Sequence, residues 1–233
     1  MAEVRVKICG ITNFADARIA LQAGADYLGF NLYPKSPRYI APEIIKQMVL
    51  GIGYWVSDRD APIPNTQYPI SNPPQFVGIF VNETVESISD ILAFTGLDYA
   101  QLHGDEPSAS LQRLAGKAFK AVRPADAEGA WEAASRFAPL GLDDGPQLLI
   151  DAYDPAEYGG TGKKADWQVA AELALRYPRL MLAGGLTPGN VAQAVRAVRP
   201  WAVDVSSGVE ASPGRKDHDA VRAFIHAAKE SEQ

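Results

Sequence analysis

Short apolar runs of four to seven residues alternate along the chain with longer stretches in which apolar positions recur at helical spacing. The short runs are Val4–Cys9, Asp26–Leu32, Phe76–Val81, Tyr99–Leu102, Phe119–Val122, Gln147–Asp151, Arg179–Ala183 and Ala202–Val205. Their length and β-branched or aromatic content predict strands. Between and after them, Phe14–Ala23, Pro42–Leu50, Val85–Phe94, Pro107–Ala115, Ala127–Phe137, Asp166–Tyr177, Pro188–Val198 and His218–Lys229 predict helices. Regular strand–helix alternation implies parallel strands joined by crossover helices. Eight such units on one chain favour a closed (β/α)8 barrel, an α/β TIM barrel in a single domain, over an open doubly wound sheet.

One stretch breaks the rhythm. From Gly51 to Gln75 there are five prolines and few periodic apolar positions, so residues 51–75 are predicted to be an insertion before the third strand. A connection of this length far exceeds the usual 2–6 residues of such units.

A barrel of this kind carries its active site at the carboxyl ends of the strands. Those ends are rich in polar residues and glycine here: Cys9-Gly10, Asn31, Asn82, His103-Gly104, Arg123, Asp151, Gly184-Gly185 and Ser206-Ser207-Gly208. Side chains alternate between the faces of a strand. In the first strand Val4, Val6 and Ile8 share the face suited to the helix layer, which leaves Lys7 and Cys9 pointing into the barrel. In the last strand Val203 and Val205 face out, and Asp204 and Ser206 face in. First and last strands are neighbours in a closed barrel, and a buried lysine requires a partner. Lys7 is therefore expected to pair with Asp204, and the cation beside Cys9 is expected to lower the thiol pKa.

Each candidate also has an ordinary structural role. A free cysteine usually behaves as a small buried hydrophobe; position and parity are what mark Cys9 as a base. Asp151 suits a proton donor if the following Ala152–Lys164 stretch, with Gly159-Gly160-Thr161-Gly162, folds over a substrate. The glycine-bearing turns at Gly184-Gly185 and at Ser206-Ser207-Gly208 occupy the places where such barrels bind phosphate through backbone N–H groups. Arg38 is able to clasp a carboxylate with two parallel bonds, although an exposed arginine most often only carries charge. Spacing leaves His103 open between a ligand contact and a hydrogen-bonded structural histidine.

With 22 Lys and Arg against 28 Asp and Glu, the net charge is −6, which argues against a nucleic-acid partner. The single cysteine excludes an internal disulfide and any Cys-x-x-Cys site. No stretch approaches the roughly 18 apolar residues of a membrane span. The first ten residues also lack the apolar segment of a secretory signal, so the cytoplasm is the expected compartment.

Taken in order, several motifs resemble the phosphoribosylanthranilate isomerases of tryptophan biosynthesis. They are Val6-Lys7-Ile8-Cys9-Gly10-Ile11-Thr12, Tyr33-Pro34-Lys35-Ser36-Pro37-Arg38-Tyr39-Ile40, Gln101-Leu102-His103-Gly104, Leu149-Ile150-Asp151, Tyr158-Gly159-Gly160-Thr161-Gly162-Lys163, Ala183-Gly184-Gly185-Leu186, and Val203-Asp204-Val205-Ser206-Ser207-Gly208-Val209-Glu210 followed by Pro213-Gly214-Arg215-Lys216-Asp217. The likeness spans the chain except the Gly51–Gln75 stretch. It implies an Amadori rearrangement with Cys9 as base and Asp151 as acid. It also implies ligand roles for Arg38, at a carboxylate, and for His103, with Asp204, Ser206 and the Gly184, Gly185, Ser207 and Gly208 phosphate turns completing the substrate contacts. The implied partner is a small sugar phosphate carrying an anthranilate group, with no metal or organic cofactor, bound by a monomer or a homodimer. Indole-glycerol-phosphate synthase and the ribonucleotide isomerase of histidine synthesis are rivals on the same scaffold. The first uses a catalytic lysine and the second a pair of aspartates, so Cys9 separates the chain from both. A barrel that senses phosphorylated ligands without catalysis is the rival of another class.

Overall fold

The computed structural model describes residues 3–57, 74–151 and 167–232. Eight parallel strands close into a barrel in chain order: β1 (Arg5–Cys9), β2 (Tyr27–Asn31), β3 (Gln75–Phe80), β4 (Tyr99–Leu102), β5 (Ala118–Val122), β6 (Leu148–Ile150), β7 (Leu180–Leu182) and β8 (Ala202–Val205). The helices are α1 (Phe14–Gln22), α2 (Pro42–Ser57), α3 (Val85–Thr95), α4 (Ser108–Arg113), α5 (Ala127–Phe137), α6 (Trp167–Arg176), α7 (Val191–Val198) and α8 (His218–Lys229). Closure runs through β1 and β8, where Lys7 lies opposite Asp204 and Ile8 opposite Val205.

The eightfold alternation and the barrel expected from it are both present. Local chemistry sets the helix boundaries: Asn13, Thr84, Asp126 and Asp217 each cap a helix by accepting a backbone N–H, and Gly96 ends α3 with a φ of 78°. Two boundaries differ from expectation by three residues or more. Helix α7 starts at Val191 rather than Pro188, because Thr187 N–H donates to Asn190 Oδ1 and folds Thr187–Asn190 into a turn. Helix α2 runs on to Ser57, seven residues into the stretch assigned to the insertion. Gly51 and Gly53 resemble helix breakers, but Ile45, Met48 and Ile52 continue one buried stripe at helical spacing. Residues 58–73 of that stretch lie outside the described residues, as does the Ala152–Lys164 loop, while Gln75, its last residue, opens β3.

The barrel separates two kinds of core. Val4, Val6 and Ile8 join the large cluster between sheet and helices, whereas Tyr27, Val77, Phe119, Leu149, Met181 and Ala183 pack inside. Above this apolar filling lies a polar layer made of Lys7, Gln101 and Asp204. The Lys7 ammonium is fully buried and donates to Asp204 Oδ1 and to Gln101 Oε1, each at 2.9 Å. The ion pair expected from strand parity is therefore formed. Two positions further along each strand, on the same face, come Cys9, Ser206 and His103, and Asp151 follows Leu149 in the same way. Parity thus delivers four functional candidates to the carboxyl-terminal mouth.

A device absent from the sequence reading sits beyond β8. A 3-10 turn at Ser207–Val209 leads into a two-stranded hairpin, β9 (Glu210–Ser212) and β10 (Arg215–Lys216), reversed at Gly214 with φ 78°. The Pro213-Gly214 dipeptide is its sequence signal. The hairpin carries Glu210 and Lys216 back over the barrel mouth.

Candidate active site

The turns after β7 and β8 and the end of β6 line one cavity. Asp151, Gly184, Gly185 and Asp204 contribute to its wall, together with Ser206, Ser207 and Gly208. Gly184 and Gly185 have φ of 92° and 63°, a left-handed turn that side chains disfavour. A Cβ at Gly208 would run into the carbonyl oxygen of Leu186. Asn190 secures the first turn, since its side-chain amide donates to Gly185 O at 2.9 Å while its oxygen accepts from Thr187 N–H. The wall is thus mainly exposed backbone, with N–H groups able to approach an anion. Ser206 Oγ is buried there without a hydrogen-bond partner among the described residues.

Cys9 ends β1 beside this cavity, half-buried, its sulfur lying over Gly29, where a Cβ would come within 2.9 Å of it. The expectation of a lowered thiol pKa requires correction. Burial pushes the thiol up and the Asp204 carboxylate adds to it; the opposing pull of Lys7, with a smaller one from Lys216, does not cancel the two, so the net displacement is upward. Lys7 itself is pulled down by burial, but Asp204 and Cys9 outweigh that and leave it raised, so the ammonium stays charged. The cation beside Cys9 acts in the expected direction and is outweighed by the cost of desolvating a thiolate.

Arg38 does not stand exposed. Its Nε and Nη2 donate to the Glu210 carboxylate at 2.9 and 2.8 Å, and Glu210 Oε1 also accepts from Lys216 Nζ at 2.9 Å. Burial would raise the Glu210 pKa, but Arg38 and Lys216 hold it below the usual carboxylate range, while burial lowers Lys216. The Arg38 chain packs against Gly10, where a Cβ would lie 2.7 Å from Arg38 Cδ and 3.0 Å from Ser206 Oγ. Only glycine at position 10 leaves room for both Arg38 and Ser206.

His103 is buried at the end of β4. Its Nδ1 lies 3.0 Å from Gln101 Nε2, and its Nε2 lies 3.4 Å from Asp151 Oδ2. That second approach is off the line of a hydrogen bond, and among the described residues Nε2 has no hydrogen-bond partner. The adjoining loop is rigidly tied: Glu106 accepts from the N–H groups of Gly104 and Asn82, and Lys120 Nζ donates to Glu106 at 2.8 Å and to Gly104 O at 2.6 Å. Asn82 and Arg123, polar strand ends in the sequence, serve this loop: Asn82 Oδ1 accepts from Asp105 N–H, and Arg123 lies 3.9 Å from Asp105.

The structure thus brings Asp151, Asp204, Ser206 and the two glycine-bearing turns into one cavity, with Cys9, Arg38 and His103 at its margins. Gln101, Glu210 and Lys216 carry no signal of a role in the sequence alone. All three stand in the motifs, but their significance lies in partners that only the folded chain supplies. Among the described residues no group of three or more His, Cys, Asp or Glu is placed to hold a metal, and no helix is long and apolar enough to cross a membrane.

An anion cradle beside a carboxylic acid and a thiol, at the carboxyl end of a closed eight-stranded barrel, belongs to a (β/α)8-barrel enzyme acting on a phosphorylated small molecule. The chain is a member of the N-(5'-phosphoribosyl)anthranilate isomerase family, whose profile matches residues 56–227. It is 44% identical over 228 residues to the N-(5'-phosphoribosyl)anthranilate isomerase of Trichlorobacter lovleyi, covering 98% of this chain and 99% of the relative. It is 41% identical to that of Thermotoga maritima, covering 97% of this chain and 98% of the relative. A crystal structure of the Thermotoga maritima isomerase superposes with a TM-score of 0.79 at 39% identity, covering 97% of this chain and 99% of that one. Another phosphoribosylanthranilate isomerase structure, in complex with reduced 1-(o-carboxyphenylamino)-1-deoxyribulose 5-phosphate, superposes with a TM-score of 0.77 at 38% identity, covering 97% of this chain and 99% of that one.

Proposed function

We propose that this enzyme carries out the phosphoribosylanthranilate isomerase reaction of tryptophan biosynthesis with Asp151 as general acid and Cys9 as general base. The cavity shared by Asp151 and the β7 and β8 turns carries this reading. A phosphate on the backbone of Gly184, Gly185, Ser207 and Gly208 would set the distance of the ribose ring from the strand ends, where the two groups stand.

Asp151 protonates the furanose ring oxygen, and the bond from that oxygen to C1 breaks. The nitrogen lone pair moves into the C1–N bond, giving a protonated Schiff base. Cys9, as thiolate, then takes the proton from C2, and the electron pair flows to the iminium nitrogen to form an enolamine. Tautomerisation moves a proton to C1 and leaves the ketone at C2. Burial resists the thiolate in the resting site, and the cationic Schiff base compensates for this by adding positive charge next to Cys9 when the base is needed. Arg38, held flat by Glu210, is oriented to receive the anthranilate carboxylate. Asp204 and Ser206 are in reach of sugar hydroxyls, and the orphaned Ser206 Oγ gains a partner there. His103 presents its unpaired Nε2 towards the acid.

The same reading takes the protein as a cytoplasmic single-domain enzyme with an insertion before β3, needing no cofactor. One solved relative is described as monomers generated from the dimeric Thermotoga maritima isomerase, which supports a monomer or a homodimer for this chain.

The test is turnover of freshly prepared phosphoribosylanthranilate, followed by loss of its fluorescence. Cys9→Ala and Asp151→Asn should each lose about 10²–10⁴-fold in kcat. Near-normal turnover in either variant removes that residue from the mechanism.

A further inference from the structure

A chain of polar side chains crosses the barrel from the pair beside Cys9 to Asp151. Asp204 accepts from Lys7, Lys7 donates to Gln101, Gln101 meets His103, and His103 faces Asp151. The donor and acceptor roles along it are determined from one end. A lysine ammonium has donors only, so the Gln101 atom 2.9 Å away is its oxygen; the flipped amide would oppose N–H groups to N–H groups. The Gln101 amide nitrogen is therefore the atom turned towards His103 Nδ1, at 3.0 Å. That nitrogen can only donate. Nδ1 must accept with its lone pair, and the imidazole proton resides on Nε2. This N–H is buried, has no hydrogen-bond partner among the described residues, and lies 3.4 Å from Asp151 Oδ2.

We propose that Gln101 is a positioning residue: anchored by Lys7, it locks His103 in the tautomer protonated on Nε2, so that this N–H receives the negative charge left on Asp151 when the acid gives up its proton. The inference rests on the reading of Asp151 as the acid. An idle donor is costly while buried and becomes useful when a carboxylate forms opposite it. A charge-assisted bond contracts to about 2.7–2.9 Å, a short movement from the present separation. The other tautomer would set a lone pair against the new carboxylate and oppose proton release. Through Lys7, the polar layer that holds the base side of the site also sets the donor on the acid side.

The chain has three histidines, so two-bond ¹H–¹⁵N spectra of histidine-labelled protein resolve each ring. His103 should show a protonated Nε2 and an unprotonated Nδ1; a proton on Nδ1 overturns the proposal without any kinetics. Gln101→Leu removes the lock and adds no charge near Cys9. It should lower kcat roughly 10- to 100-fold, the worth of a hydrogen bond to a charged group, with a smaller change in KM. In an Asp151→Asn background the same substitution should cost far less, because the two act as one unit. Unchanged kcat in Gln101→Leu, or an equal loss in both backgrounds, overturns the coupling to Asp151. Near-normal turnover of Asp151→Asn alone refutes the acid assignment and leaves the tautomer result standing, so the two failures are distinct.

Discussion

Glu210 and Arg38, 172 positions apart in sequence, meet in a two-pronged ion pair at 2.9 and 2.8 Å. The pair forms because the β9–β10 hairpin folds back over the barrel mouth. A planar guanidinium gripped by a carboxylate through two donors has its plane fixed. Glu210 also pairs with Lys216, so one carboxylate is shared between two cations.

Replacing Glu210 with Gln should therefore disturb substrate binding more than chemistry. With its anchor weakened, Arg38 should bind the substrate carboxylate less well, raising KM roughly tenfold, as expected for one charged hydrogen bond, while kcat changes less. Stability should respond to pH as well. The Glu210 pKa is lowered on folding, so its contribution is complete above the unfolded value of about 4.3 and is lost as pH falls through the folded value. Denaturant titrations from pH 7 to pH 3 should show the gap between wild type and Glu210→Gln narrowing as the solution is acidified. A constant gap contradicts the assignment.

The raised Cys9 pKa predicts a thiol that reacts late in a pH series. Only the thiolate is alkylated, so the iodoacetamide rate should have its midpoint above the ordinary thiol value of about 8.5. Lys7→Met removes the largest of the opposing influences and should move that midpoint further up, with slower alkylation at any given pH below it. A midpoint at or below that of a free thiol would show that Lys7 prevails over burial.

Gly208→Ala should damage the anion cradle. The added methyl meets the Leu186 carbonyl, and the turn has to open to admit it. A loss of about 1–3 kcal/mol is typical of overpacking, and it should appear in thermal melts together with a raised KM. A variant with the melting temperature and KM of the wild type would mean that this turn does not hold the phosphate.

Much of this site was legible in the chain. Hydrophobic period gave the eight units, and strand parity placed Lys7, Cys9, Asp204, Ser206 and Asp151 inside the barrel mouth. Both are properties of local backbone geometry, which a sequence carries directly. The Lys7–Asp204 pair followed because closure makes the first and last strands neighbours. Helix α2 was read too short because two glycines hid a stripe whose packing partners lie elsewhere in the fold.

What the chain alone determined, then, is which residues share a face and which end of the barrel they reach. Tertiary structure decided how they behave there. Whether Cys9 is raised or lowered depends on the balance of burial and Asp204 against two lysines, and burial exists only once the barrel has closed. The grip of Glu210 on Arg38 depends on a hairpin crossing the mouth. The orientation of the Gln101 amide depends on Lys7, 94 positions away. Desolvation and long-range donor–acceptor matching arise from proximity in space, and local sequence patterns do not carry them.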